Sequence, residues 1–85
     1  MSIENPMPQD FLRICLEKQV QVQLIDNRKL LGIFHAYDEH CNIILSDVVE
    51  TLTILNQDGT PETHTRNLDL LFIRGDRILM ISPTK

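Results

Sequence analysis

The sequence predicts a mostly β chain, in which a short N-terminal helix precedes five strands of a small antiparallel barrel. Three observations predict it. Phe11, Leu12, Cys15 and Leu16 fall at one-face helical spacing. From Gln19 onward the pattern changes to the two-residue period of strands, in short runs separated by turn clusters. Gly32 lies inside the second run, where glycine marks a bend or a close backbone approach of the kind a small barrel needs to close.

The helix is expected over residues 9–16, behind Pro6-Met7-Pro8, with Asp10 in the first turn where a carboxylate suits the helix dipole. Gln19-Val20-Gln21-Val22-Gln23-Leu24 alternates strictly, so Val20, Val22 and Leu24 point inward and the glutamines outward. Asp26-Asn27-Arg28 is a turn, and Leu30 to Tyr37 a second strand. Asp38 to Cys41 is a polar break before the long β-rich run from Asn42 to Leu55. Asn56-Gln57-Asp58-Gly59-Thr60-Pro61 is a turn cluster, and residues 56–65 read as a variable loop. Leu68 to Ile73 and Arg77 to Ser82 are the last two strands, joined by the tight turn Arg74-Gly75-Asp76.

Eighty-five residues make one domain with a modest core. The last two strands are apolar on both faces, more than so small a barrel covers by itself. Leu71, Ile73, Ile78 and Met80 are therefore expected at a subunit interface. No apolar run approaches the roughly 18 residues of a membrane span. The first ten residues, polar and without a basic residue, do not read as a signal peptide, so a chain left in the nucleus or cytosol is expected. Cys15 and Cys41 form neither a disulfide framework nor a zinc motif.

The formal net charge of −4 argues against bulk coating of nucleic acid. Its distribution allows local contact. Residues 1–65 carry four basic residues against ten acids, whereas residues 66–85 carry four against two. His35, His40, Cys41 and His64 invite a metal or thiol reading, but neighbouring His40 and Cys41 point opposite ways in extended chain, and His35 and His40 lack a further ligand. No phosphate-binding glycine loop or metalloprotease motif occurs, so neither an enzyme nor a cofactor nor a small-molecule substrate is expected.

The informative stretch is Asp38-x-His40-x-Asn42. Aspartate fixes a loop through hydrogen bonds, histidine offers a ring on which a base stacks, and asparagine offers a donor beside an acceptor. Uracil presents the complementary O4 acceptor and N3–H donor. Arg74, on a second turn, adds charge and a guanidinium plane for stacking.

At these residues the sequence resembles the Sm and Sm-like (Lsm) family. The first Sm motif spans about residues 19–50, with its signature at Gly32 through Tyr37-Asp38-x-x-x-Asn42 to Asp47 and Glu50. The second spans about residues 66–82, around Leu71-Phe72-Ile73-Arg74-Gly75-Asp76. The resemblance implies the Sm fold, a helix on a five-stranded SH3-like barrel, and edge-to-edge assembly into rings of six or seven. Eukaryotic Lsm chains form hetero-heptamers with other Sm-like subunits and bind uridine-rich single-stranded RNA. One ring acts in the nucleus on a spliceosomal RNA, and another acts in the cytoplasm on messages being decapped and degraded. The base-binding positions carry over as His40, Asn42, Arg74 and Gly75, with Asp38 as the loop-fixing acid. Asp76 stands beside them, where it can bond the loop or the nucleotide. The rival readings are an assembly subunit that barely touches RNA and a peptide-binding module. The second is disfavoured by one tyrosine, three phenylalanines and no tryptophan.

Overall fold

A computed structural model describes residues 3–4 and 7–84. Its elements are β1 (Ile3–Glu4), α1 (Gln9–Cys15), β2 (Gln19–Leu24), β3 (Arg28–Tyr37), β4 (Ile43–Leu55), β5 (Pro61–Ile73), a 3-10 turn at Gly75–Arg77 and β6 (Ile78–Pro83). The strands form one antiparallel sheet in the order β1-β6-β2-β3-β4-β5. The five expected strands are present, and the two-residue β1 is an addition. It lies on the outer edge of β6, with Ile3 opposite Ile81 and Glu4 opposite Met80.

The alternation of β2 places Val20, Val22 and Leu24 inside. They meet Leu30 and Phe34 of β3, Ile43, Leu45 and Val48 of β4, and Ile78 and Ile81 of β6 in one core. Helix α1 covers one end of that core with Phe11, Leu12 and Cys15. It stops at Cys15, one residue short of expectation; Glu17 then takes a positive φ of 65° and its N–H donates to the Phe34 carbonyl at 2.7 Å.

Gly32 sits at the bend. The β3–β4 register shifts between Leu31 and Ile33, and Asp47 opposite has a positive φ of 50°. A Cβ on Gly32 would lie 2.9 Å from the Ser46 carbonyl oxygen and 3.2 Å from Val48 Cγ2. The close approach that lets the sheet curl therefore excludes a side chain there.

Two expectations are corrected. Residues 56–65 are not a loop: the turn closes within Asn56 to Thr60, and β5 begins at Pro61, paired with Leu55. This part of β5 has both faces in solvent, so its sequence lacks the apolar alternation that betrays a half-buried strand. The second correction concerns the proposed interface face. Ile73 is 5% exposed and Ile78 1%, because Ile73 lies opposite the buried Ile43 and Ile78 opposite Leu24. Leu71 and Met80 are half-buried. The apolar side chains left outside on these strands are Leu70 (66%), Phe72 (60%) and Leu79 (44%).

Ile78→Ala is accordingly expected to destabilise the monomeric chain by about 2–4 kcal/mol, through lost burial and an unfilled cavity. Leu70→Ala should stay within about 0.5 kcal/mol of wild type. Urea denaturation at a concentration where the chain is monomeric measures both, and equal losses would contradict the assignment of faces.

Candidate nucleic-acid interface

The break between β3 and β4 is a closed loop built around one carboxylate. Asp38 Oδ1 accepts from the backbone N–H of His40 at 2.8 Å and of Asn42 at 3.1 Å, and Oδ2 accepts from Asn42 Nδ2 at 3.0 Å. The Asp38 N–H donates to the Asn42 carbonyl and the Cys41 N–H to the Asp38 carbonyl, each at 3.1 Å, while Cys41 takes a φ of +63°. The Asn42 side chain, followed by the His40 and Asn42 backbone donors, holds the Asp38 carboxyl below its ordinary 3.8.

Asn42 also joins this loop to the turn after β5. Its Oδ1 accepts from the Gly75 N–H at 2.7 Å. The two backbones touch so closely that a Cβ on Gly75 would lie 2.1 Å from the His40 carbonyl oxygen. Glycine is required there for space, and its φ is not in the left-handed region. The expected grouping of Asp38, His40, Asn42, Arg74 and Gly75 is thus brought onto two adjoining loops. Asp38 itself turns into its own loop, where three donors converge on it.

His40 is exposed, its Nε2 3.6 Å from Glu39 Oε1. Arg74 is exposed as well and donates from Nη2 to Asp76 Oδ2 at 3.0 Å, so Asp76 bonds its own turn and partly offsets the guanidinium charge. A cleft of 140 Å³ beside Asn42 is lined by Ala36, Tyr37, Asp38, Ile44 and Phe72. Sequence reasoning missed Phe72 as part of this site. The signal was its parity on β5: Phe72 alternates with the buried Ile73 and so turns an aromatic ring outward beside Ile44.

The face beyond Phe72 is ionic. Glu50, 7% exposed, accepts from Arg66 Nε at 2.6 Å and lies 3.5 Å from Arg28 Nη1. Asp26 Oδ2 accepts from Arg77 Nη2 at 2.6 Å and lies 3.2 Å from Arg28 Nε. A buried carboxylate is tolerable only when paired, and Glu50 has two guanidinium neighbours. A hollow of 590 Å³ beside the β4–β5 hairpin tip is lined by Ile54, Leu55 and the β2–β3 turn and gathers no such set of groups.

The remaining titratable groups are dispersed. His35 Nε2 is 2.6 Å from Ser46 Oγ, and His64 bonds Glu62. Cys15 and Cys41 are free thiols, and burial pushes the Cys15 thiol up, partly countered by Lys18. Among the described residues no three His, Cys, Asp or Glu side chains are grouped to hold a metal ion, and no helix is long and apolar enough to cross a membrane.

Residues 10–83 match the family model of the LSM domain. The chain belongs to the Sm-like (LSM) family. It is similar to the Sm-like protein LSM3B of Arabidopsis thaliana, at 41% identity over 89% of this chain and 83% of the relative. It is also similar to the probable U6 snRNA-associated Sm-like protein LSm3 of Dictyostelium discoideum, at 38% over 96% and 88%. Both relatives bear the LSM3 name, so within the family this chain is similar to LSM3. Among solved structures it resembles a heptameric archaeal Sm protein (TM-score 0.71, 30% identity, 89% of this chain and 98% of the other). It also resembles the Pyrococcus abyssii Sm protein in complex with a uridine heptamer (TM-score 0.71, 33% identity, 92% and 99%). The family's members are RNA-binding proteins.

The Asp38 geometry sets a pH dependence in this Sm-like chain. A carboxyl depressed in the folded state adds stability that is complete above its unfolded value of 3.8 and is lost as pH falls through the lower folded value. Loop closure should therefore persist at pH 4 and fail only in stronger acid. The His40 and Asn42 amide resonances, followed by NMR from pH 5 downward, are expected to shift together below pH 3.8. A midpoint above 3.8 would contradict the loop geometry.

Proposed function

We propose that this chain is an RNA-binding subunit of a hetero-heptameric Sm-like ring that holds uridine-rich 3′ ends. The observation that carries the reading is the locked amide of Asn42. Its Nδ2 is committed to an acceptor, Asp38, and its Oδ1 to a donor, the Gly75 N–H. The amide cannot rotate end for end without facing donor to donor and acceptor to acceptor. One N–H and one oxygen lone pair remain to meet uracil O4 and N3–H. Cytosine presents the opposite pair, an N4 donor beside an N3 acceptor, and is refused. His40 and Arg74 supply stacking surfaces on the two joined loops, and Phe72 walls the cleft.

The uridine heptamer bound by the Pyrococcus abyssii protein supports the ligand class, and the U6 snRNA association in the Dictyostelium protein's name supports a nuclear role in pre-mRNA splicing. The resemblance extends the proposal to decapping and decay of messages in the cytoplasm, with no catalytic step in this chain. The archaeal heptamer supports ring assembly. A head-to-tail ring needs two complementary surfaces on each subunit. The sheet offers two edges, β5 and β6, and the exposed Leu70, Phe72 and Leu79 lie on them. Each subunit contributes one weak site, and linkage around the ring supplies the affinity.

Purification of the tagged chain from its own cells is expected to recover about six other Sm-like chains, as a seven-membered ring requires, with RNA ending in uridines. In the assembled ring, Asn42→Ala should lower affinity for a uridine oligomer about tenfold and remove the preference of that site for uridine over cytidine, without changing ring mass. Unchanged binding would leave the chain as an assembly subunit with little RNA contact.

A further inference from the structure

Two aspartates face each other where the sheet turns its corner. Ser46 pairs with Leu70 and Val48 with Leu68, which leaves Asp47 opposite Asp69. Both are exposed, and Asp47 takes its positive φ at this bend. Among the described residues neither carboxylate has an ion pair, whereas all five arginines stand within ion-pair distance of some other acid. Like charges directly opposite on neighbouring strands repel and cost stability. The sheet therefore keeps an uncompensated acidic pair beside its bare edge, since β5 has no strand beyond it.

The strand that completes this edge covers Asp69. Its length is set by the other edge of the sheet, where β6 has six residues against thirteen on β5. The exposed apolar Leu70 and Phe72 draw such a strand to the C-terminal half of β5. Between Asn67 and Ile73 that half carries one charged residue, Asp69.

A second copy of this chain matches the edge poorly. Its β6 reads Ile78-Leu79-Met80-Ile81-Ser82-Pro83 and has no charged residue. Arg77, just before it, is held by Asp26 of its own chain. Pairing β6 with β5 takes water from two acids and gives them no cation. A strand with a lysine or arginine at the facing position reverses the balance, because one cation beside two carboxylates relieves their repulsion.

We propose that the β5 edge selects its neighbour by charge, and that its occupant is a different Sm-like subunit whose own last strand carries a lysine or arginine facing Asp69. Against a second copy of this chain, the unmatched acids act as the repulsive element that specificity requires. The inference rests on the ring-assembly part of the reading above and adds to it the chemistry of the neighbour at one edge.

The test uses the full chain, purified alone and purified with its neighbours from its own cells. Alone, its self-association is measured by sedimentation between about 0.05 and 0.5 M salt and is expected to strengthen as salt screens the acids. Asp69→Asn should tighten self-association about tenfold at low salt and remove most of the salt dependence. In cells, tagged Asp69→Lys should lose one Sm-like neighbour and keep the one joined through β6. Mass spectrometry names the lost chain, and its last strand should contain a lysine or arginine. Changing that residue to glutamate should restore its recovery with Asp69→Lys, a swap that a purely structural role of Asp69 would not produce. The melting temperature of the isolated Asp69→Lys chain should equal or exceed that of wild type, because the repulsion from Asp47 is gone. If it falls instead, Asp69→Asn carries the test alone, with tighter self-association and reduced recovery of the basic neighbour expected together. Full recovery of every neighbour by Asp69→Lys, a lost neighbour with no basic residue in its last strand, or self-association indifferent to Asp69→Asn would overturn the proposal and leave ring assembly in place. A wild-type chain that recovers no Sm-like chains would overturn the ring reading and the proposal with it.

Discussion

The hydrogen bond from the Gly75 N–H to Asn42 Oδ1 is the constraint on which the rest of this site depends. It spans 33 residues of sequence and joins the loop after β3 to the turn after β5. The two backbones can approach because residue 75 has no side chain, and Asn42 can reach because Asp38 has drawn the loop tight beneath it. The barrel exists around the same contact. β4 begins one residue after Asn42 and β5 ends one residue before Arg74, with Ile43 opposite Ile73 in the register. Core packing and site geometry are therefore set by one alignment, and the Asn42 amide has its direction imposed from both ends.

Much of this was legible in the chain. The strict Gln/Val alternation of β2, the spacing of Phe11, Leu12 and Cys15, and Gly32 within a strand each have one economical physical reading, and the fold follows from them. Asp38, Asn42 and Gly75 were legible as residue types suited to loop fixing, base pairing and close approach. What could not be read was which of their bonds are internal. Asn42 was read as a residue facing a base, and that its Oδ1 also accepts from the Gly75 N–H shows only once the turn after β5 lies against the loop. β5 failed differently. From Pro61 to Asn67 it buries nothing, so hydrophobic periodicity carries no information there, and only pairing with β4 reveals the strand. At its other end Leu71, Phe72 and Ile73 are all apolar, and apolarity alone does not say which parity is inside.

The charge of the molecule is arranged for the same economy. Ten of the twelve acids lie in residues 1–65, while the arginines that come late in sequence, Arg66, Arg74 and Arg77, are folded against Arg28 from the start of β3. Glu50 and Asp26 stand between them. Without those two carboxylates, four guanidinium groups around one groove would repel each other and swing apart. The acids thus cost some positive potential and hold the guanidinium groups in a fixed place.

The short strand Ile3–Glu4 alters what the sheet presents to its surroundings. An antiparallel sheet with two bare edges is a template for indiscriminate strand addition. Here the edges are unequal: β5 offers thirteen residues with no strand beyond it, whereas β6 has Met80 and Ile81 already occupied. A backbone edge accepts one strand at a time, so any strand seeking those two positions must first evict β1. The free chain consequently carries one sticky edge and one guarded edge, and a guarded edge cannot seed the open-ended stacking that turns sheets into fibres. Two residues are a small guard, easily exchanged for a longer and better-matched strand, so the second edge stays available.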